Sequence, residues 1–202
     1  MAEVPTFLAP RAALREEGTD GGRTGDVHGE GDAVAIRLLA PRARFTLRIE
    51  PPLLTRAKGT AGFMLALPIN CCRAAGGRMA MRLGPDEWQL SGPQSETVHI
   101  ARELGVSLAG LHHALVDVSH GRVALSVSGP KSADVINSGC ALDLSPLAFP
   151  VGTSTRTLLG KAEIVLARWE SVPGFEIECG RSFAAYVRDF LHEAGRQFRA
   201  AN

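Results

Sequence analysis

Two short stretches of this 202-residue chain carry the same pattern. RFTLRI (44–49) and RVALSV (122–127) each open on arginine, alternate apolar with polar side chains, and are soon followed by a proline, Pro52 or Pro130. Their first residues, Arg44 and Arg122, lie 78 positions apart. A period of two marks a strand with one buried face. Both halves then continue alike, with a helical stretch, further strands and a helix. Such a degenerate duplication limits the fold severely. Each half has too few strands to be stable alone, so the two must share one core. Strands and helices mix without the regular βαβ rhythm of a parallel sheet. The expected class is α+β, internally duplicated, with mostly antiparallel sheets and helices packed on them.

Local signals place the elements. Residues 53–67 (LLTRAKGTAGFMLAL) read as a weak helix, because Leu53, Leu54, Ala57, Ala61, Met64 and Leu65 share one face. Gly59 and Gly62 weaken it. A loop with Pro68 and Gly76-Gly77 leads to a strand at 78–83. A turn at Gly84-Pro85-Asp86 then makes a hairpin with 87–92. A helix follows from Pro93 to Leu104, stopped by Gly105. In the second half, 131–139 reads as a short helix. Residues 155–169 hold two strands that break near Gly160 or Lys161, and Pro173-Gly174 turns into a strand at 175–179. The clearest helix covers 182–199, with Ser182 as its expected N-cap.

The first 31 residues differ. Arg11, Arg15 and Arg23 face Glu3, Glu16, Glu17, Asp20, Asp26 and Glu30, and 18–31 is glycine-rich with little to bury. Chain entropy wins where burial is so small. The expectation is a mobile acidic arm over 1–31 and a single α+β domain over 32–202, with pseudo-repeats at about 34–105 and 112–199.

Charge and motifs exclude several functions. The net charge is +1, and aromatic residues make up only 5%, so neither a nucleic-acid surface nor attraction to an acidic membrane is expected. There is no run of 18 apolar residues and no signal-like start. The cysteines Cys71, Cys72, Cys140 and Cys179 form no CxxC and read as buried thiols in a reducing compartment, hence a cytoplasmic protein. His112, His113, Asp117 and His120 offer metal-ligand chemistry, but neighbours on a strand point to opposite faces. Asp117 with His120 could act as an acid–base pair; the plainer role for Asp117 is to accept backbone N–H groups at a strand end. No GxxxxGK[ST], GxGxxG or GxSxG occurs, so no nucleotide cofactor is expected in this chain.

Four segments in order, RLGPDEWQL (82–90), HALVDVSH (113–120), GCALDL (139–144) and RSFAAYV (181–187), resemble the gamma subunits of heterotetrameric bacterial sarcosine oxidases. The likeness covers roughly residues 34–199. That family shares a folate-binding fold with the aminomethyltransferase of glycine cleavage, which implies the duplicated α+β architecture already inferred. It also implies a complex that oxidises sarcosine to glycine and hydrogen peroxide and passes the methyl carbon to tetrahydrofolate. FAD, FMN, NAD, folate and zinc would then sit in alpha, beta and delta partner subunits, with no cofactor or metal in this chain. Asp117 matches the folate-contacting aspartate of the aminomethyltransferases. However, LLGKAE (158–163) replaces their asparagine- and glycine-rich hairpin, and their further large region has no counterpart before Asn202. The resemblance therefore implies a non-catalytic subunit in which Asp117 is a relic. Two other functions stay open: a free-standing folate-binding or methylene-transfer protein using Asp117, and the same subunit in an oxidase of another N-methyl amine. Arg156, Trp169 and Arg181 are the candidate partner contacts, since arginine and tryptophan dominate interface hot spots.

Overall fold

The computed structural model describes residues 33–169 and 174–198. The expected arm at 1–31 lies outside the described residues. Ten strands form one antiparallel sheet: β1 (Ala35–Leu38), β2 (Arg42–Ile49), β3 (Cys71–Ala75), β4 (Arg78–Arg82), β5 (Glu87–Pro93), β6 (His113–Asp117), β7 (Arg122–Ser128), β8 (Thr153–Leu159), β9 (Ala162–Arg168) and β10 (Phe175–Gly180). Four helices accompany them: α1 (Pro51–Leu54), α2 (Thr97–Ser107), α3 (Ser132–Asn137) and α4 (Ala184–Gly195).

The strand order β1-β7-β10-β9-β8-β3-β4-β5-β2-β6 displays the duplication. β2, β3, β4 and β5 are repeated as β7, β8, β9 and β10, placed symmetrically about the β3–β8 junction. The outermost strands are exchanged. β1 precedes β2 in the chain but pairs with β7, while β6 precedes β7 and pairs with β2. Each half thus closes the sheet of the other.

Alternation along the strands builds three layers. Phe45, Leu47, Trp88 and Leu90 turn outward beneath α2, joining Ile100 and Leu104. Leu125, Val127, Ile164, Leu166 and Ile177 do the same beneath α3 and α4, joining Val135, Val187 and Leu191. Burial of each such side chain contributes about 1.5–3 kcal/mol. The opposite faces meet each other. β2 and β10 are far apart in strand order, yet Arg44 Nε reaches Glu178 Oε2 at 2.7 Å, so the sheet curls until its inner faces touch. A small apolar cluster of Cys72, Met81, Val165, Ala167 and Trp169 fills part of that inner layer.

The junction reveals a better-preserved repeat than the strand pattern does. LALPINCC (65–72) and LAFPVGTS (147–154) lie 82 residues apart. Asn70 and Gly152, at the same place in each, both have positive φ, +63° and +88°. Cys72 N donates to Gly152 O (2.8 Å) and Ser154 N donates to Asn70 O (2.9 Å), a reciprocal pair about a local two-fold. Arg82 Nη1 donates to Leu67 O (2.8 Å), and Arg168 Nη1 donates to Phe149 O (3.0 Å). Each guanidinium also lies over an aromatic ring, Arg82 over Trp88 at 4.9 Å and Arg168 over Phe175 at 5.4 Å.

Four expectations need correction. The helix at 53–67 is absent beyond α1. Ala61 and Gly62 take positive φ, and 63–67 runs without regular structure, with Phe63, Leu65 and Leu67 buried and Met64 exposed. That is a period of two, which the abundance of helix-compatible residues concealed. The loop before 78 contains β3, hairpinned to β4 through Gly76-Gly77, whose φ values of +55° and +76° suit the tight turn. Gly105 does not stop the helix, since α2 runs to Ser107. Ser182 is not an N-cap; it lies in a 3-10 turn, Arg181–Phe183, and α4 starts after Phe183 without a side-chain cap.

Candidate functional site

β6 delivers Asp117 to a corner. Val118 N donates to Arg44 O (2.9 Å), holding the strand end, and a 3-10 turn, Ser119–Gly121, leads into β7. Asp117 is exposed, and its Oδ1 accepts both the backbone N–H of Ser119 (2.9 Å) and the Ser119 hydroxyl. Ser119 Oγ in turn accepts Arg44 N (2.9 Å). The carboxylate closes its own turn and, through Ser119, ties β6 to β2. The backbone carbonyl of His120 accepts Arg181 Nη1 at 3.1 Å. His112 is exposed, while His113 sets Nδ1 2.9 Å from Leu111 O. Among the described residues no group of three or more His, Cys, Asp or Glu side chains is placed to hold a metal ion.

The three candidate contact residues have different surroundings. Arg156, on β8, is engaged by Glu87 through two nitrogens, with Nη2 2.5 Å from Oε1. That hydrogen bond raises the affinity of the guanidinium for its proton. Arg181 is half-buried and fastens the turn before α4 to His120. Trp169 is turned into the interior. It is 3% exposed and packs in the inner cluster, and its Nε1, like Ser154 Oγ, is buried with no hydrogen-bond partner among the described residues.

Sequence reasoning missed the charged part of the inner layer. Arg44 and Glu178 expose only 2% and 3% of their side chains. Gln89 Nε2 donates to the other oxygen of Glu178. Beside them, Arg42 Nη1 lies 3.0 Å from both oxygens of Glu176. Burial raises the Glu176 carboxyl above its usual pKa, and Arg42 opposes that rise. At one end of the layer Glu87 is shared by Arg48 (2.9 Å) and Arg156. Charged residues alternating with apolar ones, as in FEIEC (175–179), look like a solvent face in sequence. A sheet that curls onto itself turns that face inward. The only advance signal was the pairing of arginine on RARFTLRI with glutamate on FEIEC. Burial silences two thiols, Cys72 in this inner layer, pushed up to about 12, and Cys179 in the core beneath α3 and α4, pushed up to about 11.

The hairpin at LLGKAE is fixed to the helices rather than projecting. Gly160 N donates to Gly139 O (2.9 Å), and Lys161 N donates to the Tyr186 hydroxyl (3.1 Å). Gly160 has φ +56°, and a Cβ there would lie 2.3 Å from that hydroxyl oxygen.

Comparison with known proteins agrees with this architecture. The family model described as "Sarcosine oxidase, gamma subunit family" matches residues 51–197. The chain belongs to the sarcosine oxidase gamma subunit family. The gamma subunit of an Arthrobacter sp. is 31% identical over 139 residues, 67% of this chain and 68% of that one. The gamma subunit of Corynebacterium sp. strain U-96 is 28% identical over 177 residues, 84% and 82% of the two chains. In the solved heterotetrameric sarcosine oxidase of Corynebacterium sp. U-96, one chain superposes with a TM-score of 0.76 at 26% identity, covering 88% of this chain and 90% of that one. The glycine-cleavage aminomethyltransferase T of Bartonella henselae shares the fold, with a TM-score of 0.58 at 16% identity over 77% of this chain and 44% of that one. The expected fold and kinship therefore hold. Among the described residues no helix is long and apolar enough to cross a membrane.

Proposed function

We propose that this chain is a non-catalytic subunit of a cytoplasmic heterotetrameric sarcosine oxidase, assembled with alpha, beta and delta subunits. In this reading the complex oxidises sarcosine with O2. Glycine, H2O2 and 5,10-methylenetetrahydrofolate are formed, the methyl carbon passing to tetrahydrofolate. FAD, FMN, NAD, tetrahydrofolate and zinc are held by the other subunits. The observation that carries the reading is where this chain spends its polar groups. The space between the inner faces is spanned by Arg44, Gln89 and Glu178, satisfied by one another. The carboxylate of Asp117, the residue matching the aminomethyltransferase aspartate, accepts from Ser119 of its own turn. Arg44, Gln89 and Glu178 are thus committed to holding the fold, and Asp117 uses Oδ1 to close its own turn.

Co-expression of the four subunits, followed by native mass determination and a flavin spectrum, tests this. The expected result is one stable complex containing this chain, with the isolated chain colourless and inactive on sarcosine. Turnover of sarcosine by the chain alone would overturn the reading. So would tetrahydrofolate binding by the isolated chain that disappears in Asp117→Asn.

A further inference from the structure

The two copies of the junction motif differ at their first leucine. Leu65 is buried in the first half, and its carbonyl accepts Trp88 Nε1 at 3.0 Å. Its counterpart Leu147 is 93% exposed, the most exposed large apolar side chain among the described residues. The loop that presents it is held at both ends. Ser145 N donates to Asp143 Oδ1 (2.9 Å), Phe149 N donates to Ser145 O (2.9 Å), and Arg168 Nη1 donates to Phe149 O (3.0 Å). Leu144 and Phe149 on either side are buried in the core. Pro146, Leu147, Ala148, Pro150 and Val151 are all exposed between and beside them. No charged residue occurs from Leu144 to Thr155.

We propose that the 145–151 loop, led by Leu147, anchors this subunit in an uncharged apolar pocket on another subunit of the oxidase. The inference rests on the subunit reading above and adds the surface and its partner's chemistry. Three features choose that occupant. A leucine held out on a braced loop loses little conformational freedom on docking, the condition that makes an anchor effective. Depletion of charge marks the core of an interface, whereas the rim is polar. A chain that this one resembles along most of its length is part of a heterotetrameric oxidase, so the neighbour offered to the loop is a different subunit rather than a second copy.

The test uses the four subunits co-expressed, with the affinity tag on a partner subunit and this chain as parent, Leu147→Asp, Leu147→Met or Val98→Asp. Val98, on α2, is 82% exposed and serves as the control surface. Leu147→Asp should weaken retention at least roughly thirtyfold, the loss of a hot-spot residue, with the melting temperature of the isolated chain unchanged. Leu147→Met and Val98→Asp should be retained like the parent. Retention of Leu147→Asp within about threefold of the parent overturns the anchor while leaving the subunit reading intact. Equal loss with Val98→Asp also overturns it. A parent chain that joins only its own copies, or nothing, overturns the subunit reading and the anchor with it.

Discussion

The Arg44–Glu178 pair gives the sharpest test of how the two halves are held together. The side chains are 2% and 3% exposed, and the pair is bonded at 2.7 Å between β2 and β10. Arg44 also donates Nη1 to Arg42 O (3.3 Å), and Gln89 completes the coordination of the carboxylate. Removing one partner leaves a buried charge uncompensated, which costs about 3–5 kcal/mol. Arg44→Met and Glu178→Leu should each do so. The double variant replaces both charges by apolar groups of similar size, and such replacements are close to neutral. The double-mutant cycle should therefore show a coupling of several kcal/mol. With a urea m-value of about 2 kcal/mol per M, each single variant should lower the unfolding midpoint by about 1.5–2.5 M, while the double variant, which leaves only the buried Gln89 amide without its acceptor, should fall by about 0.5–1.5 M. Glu193–Arg196, at 71% and 68% exposure, is the internal comparison; its loss should cost less than about 0.5 kcal/mol. Single variants within about 1 kcal/mol of the parent, or a double variant as unstable as the two singles combined, would refute the argument that this charged layer joins the sheets.

Other residues give further measurable outcomes. Burial raises the Glu176 pKa, so the native state binds this proton more tightly than the unfolded chain does. Its contribution to stability is complete below the ordinary value of 4.5 and is lost as pH rises through the raised one. Glu176→Gln should therefore flatten the fall in stability above pH 4.5, and urea unfolding across pH 4–8 would show it. Iodoacetamide at pH 8 should label Cys71, which is half-buried, while Cys72 and Cys179 react only after unfolding, as peptide mass mapping would read. Gly174 has φ +88°, and a Cβ there would lie 2.3 Å from the Val127 carbonyl oxygen, so Gly174→Ala should cost about 3 kcal/mol or more. Gly77→Ala, also at positive φ but facing open space, should cost about 1 kcal/mol in the same melts. Arg82→Met and Arg168→Met should destabilise the chain by similar amounts, about 1–3 kcal/mol each, since both remove a charged donor to a loop carbonyl and a ring contact.

What the sequence disclosed was whatever local physics decides. RFTLRI, RVALSV and FEIEC alternate cleanly and are strands, and the long amphipathic stretch after Ser182 is mainly α4. The duplication was legible too, but its period was read from the strand starts rather than from the motif at the junction. LALPINCC and LAFPVGTS have no simple periodicity. Their likeness lies in an αL position that Asn70 and Gly152 both tolerate and in carbonyls that distant arginines satisfy. Residues 53–67 were misread because leucine, alanine and methionine suit helices, whereas tertiary packing set Phe63, Leu65 and Leu67 on one side of an extended segment. The charged layer was unreadable for a different reason. Whether Glu176 and Glu178 meet water or Arg42 and Arg44 depends on how far the sheet curls, and no window along the chain contains that information. Trp169, one of the candidate contacts, has its indole inside the same layer, a placement that depends on the same curl.

The duplication also bears on why such a fold can serve as a subunit. Two halves that exchange their outer strands, β1 onto β7 and β6 onto β2, cannot open independently, and Arg44 with Glu178 adds a further tie across the interior. Stability is then redundant enough for one copy of a repeated feature to depart from its structural duty. Leu65 remains inside its half while Leu147 stands outside its own, with Phe149 and Arg168 still holding the loop as Leu67 and Arg82 hold theirs. An apolar side chain exposed at a place where its twin is buried gains nothing for the isolated chain. Its position makes physical sense when the surface it meets belongs to another molecule.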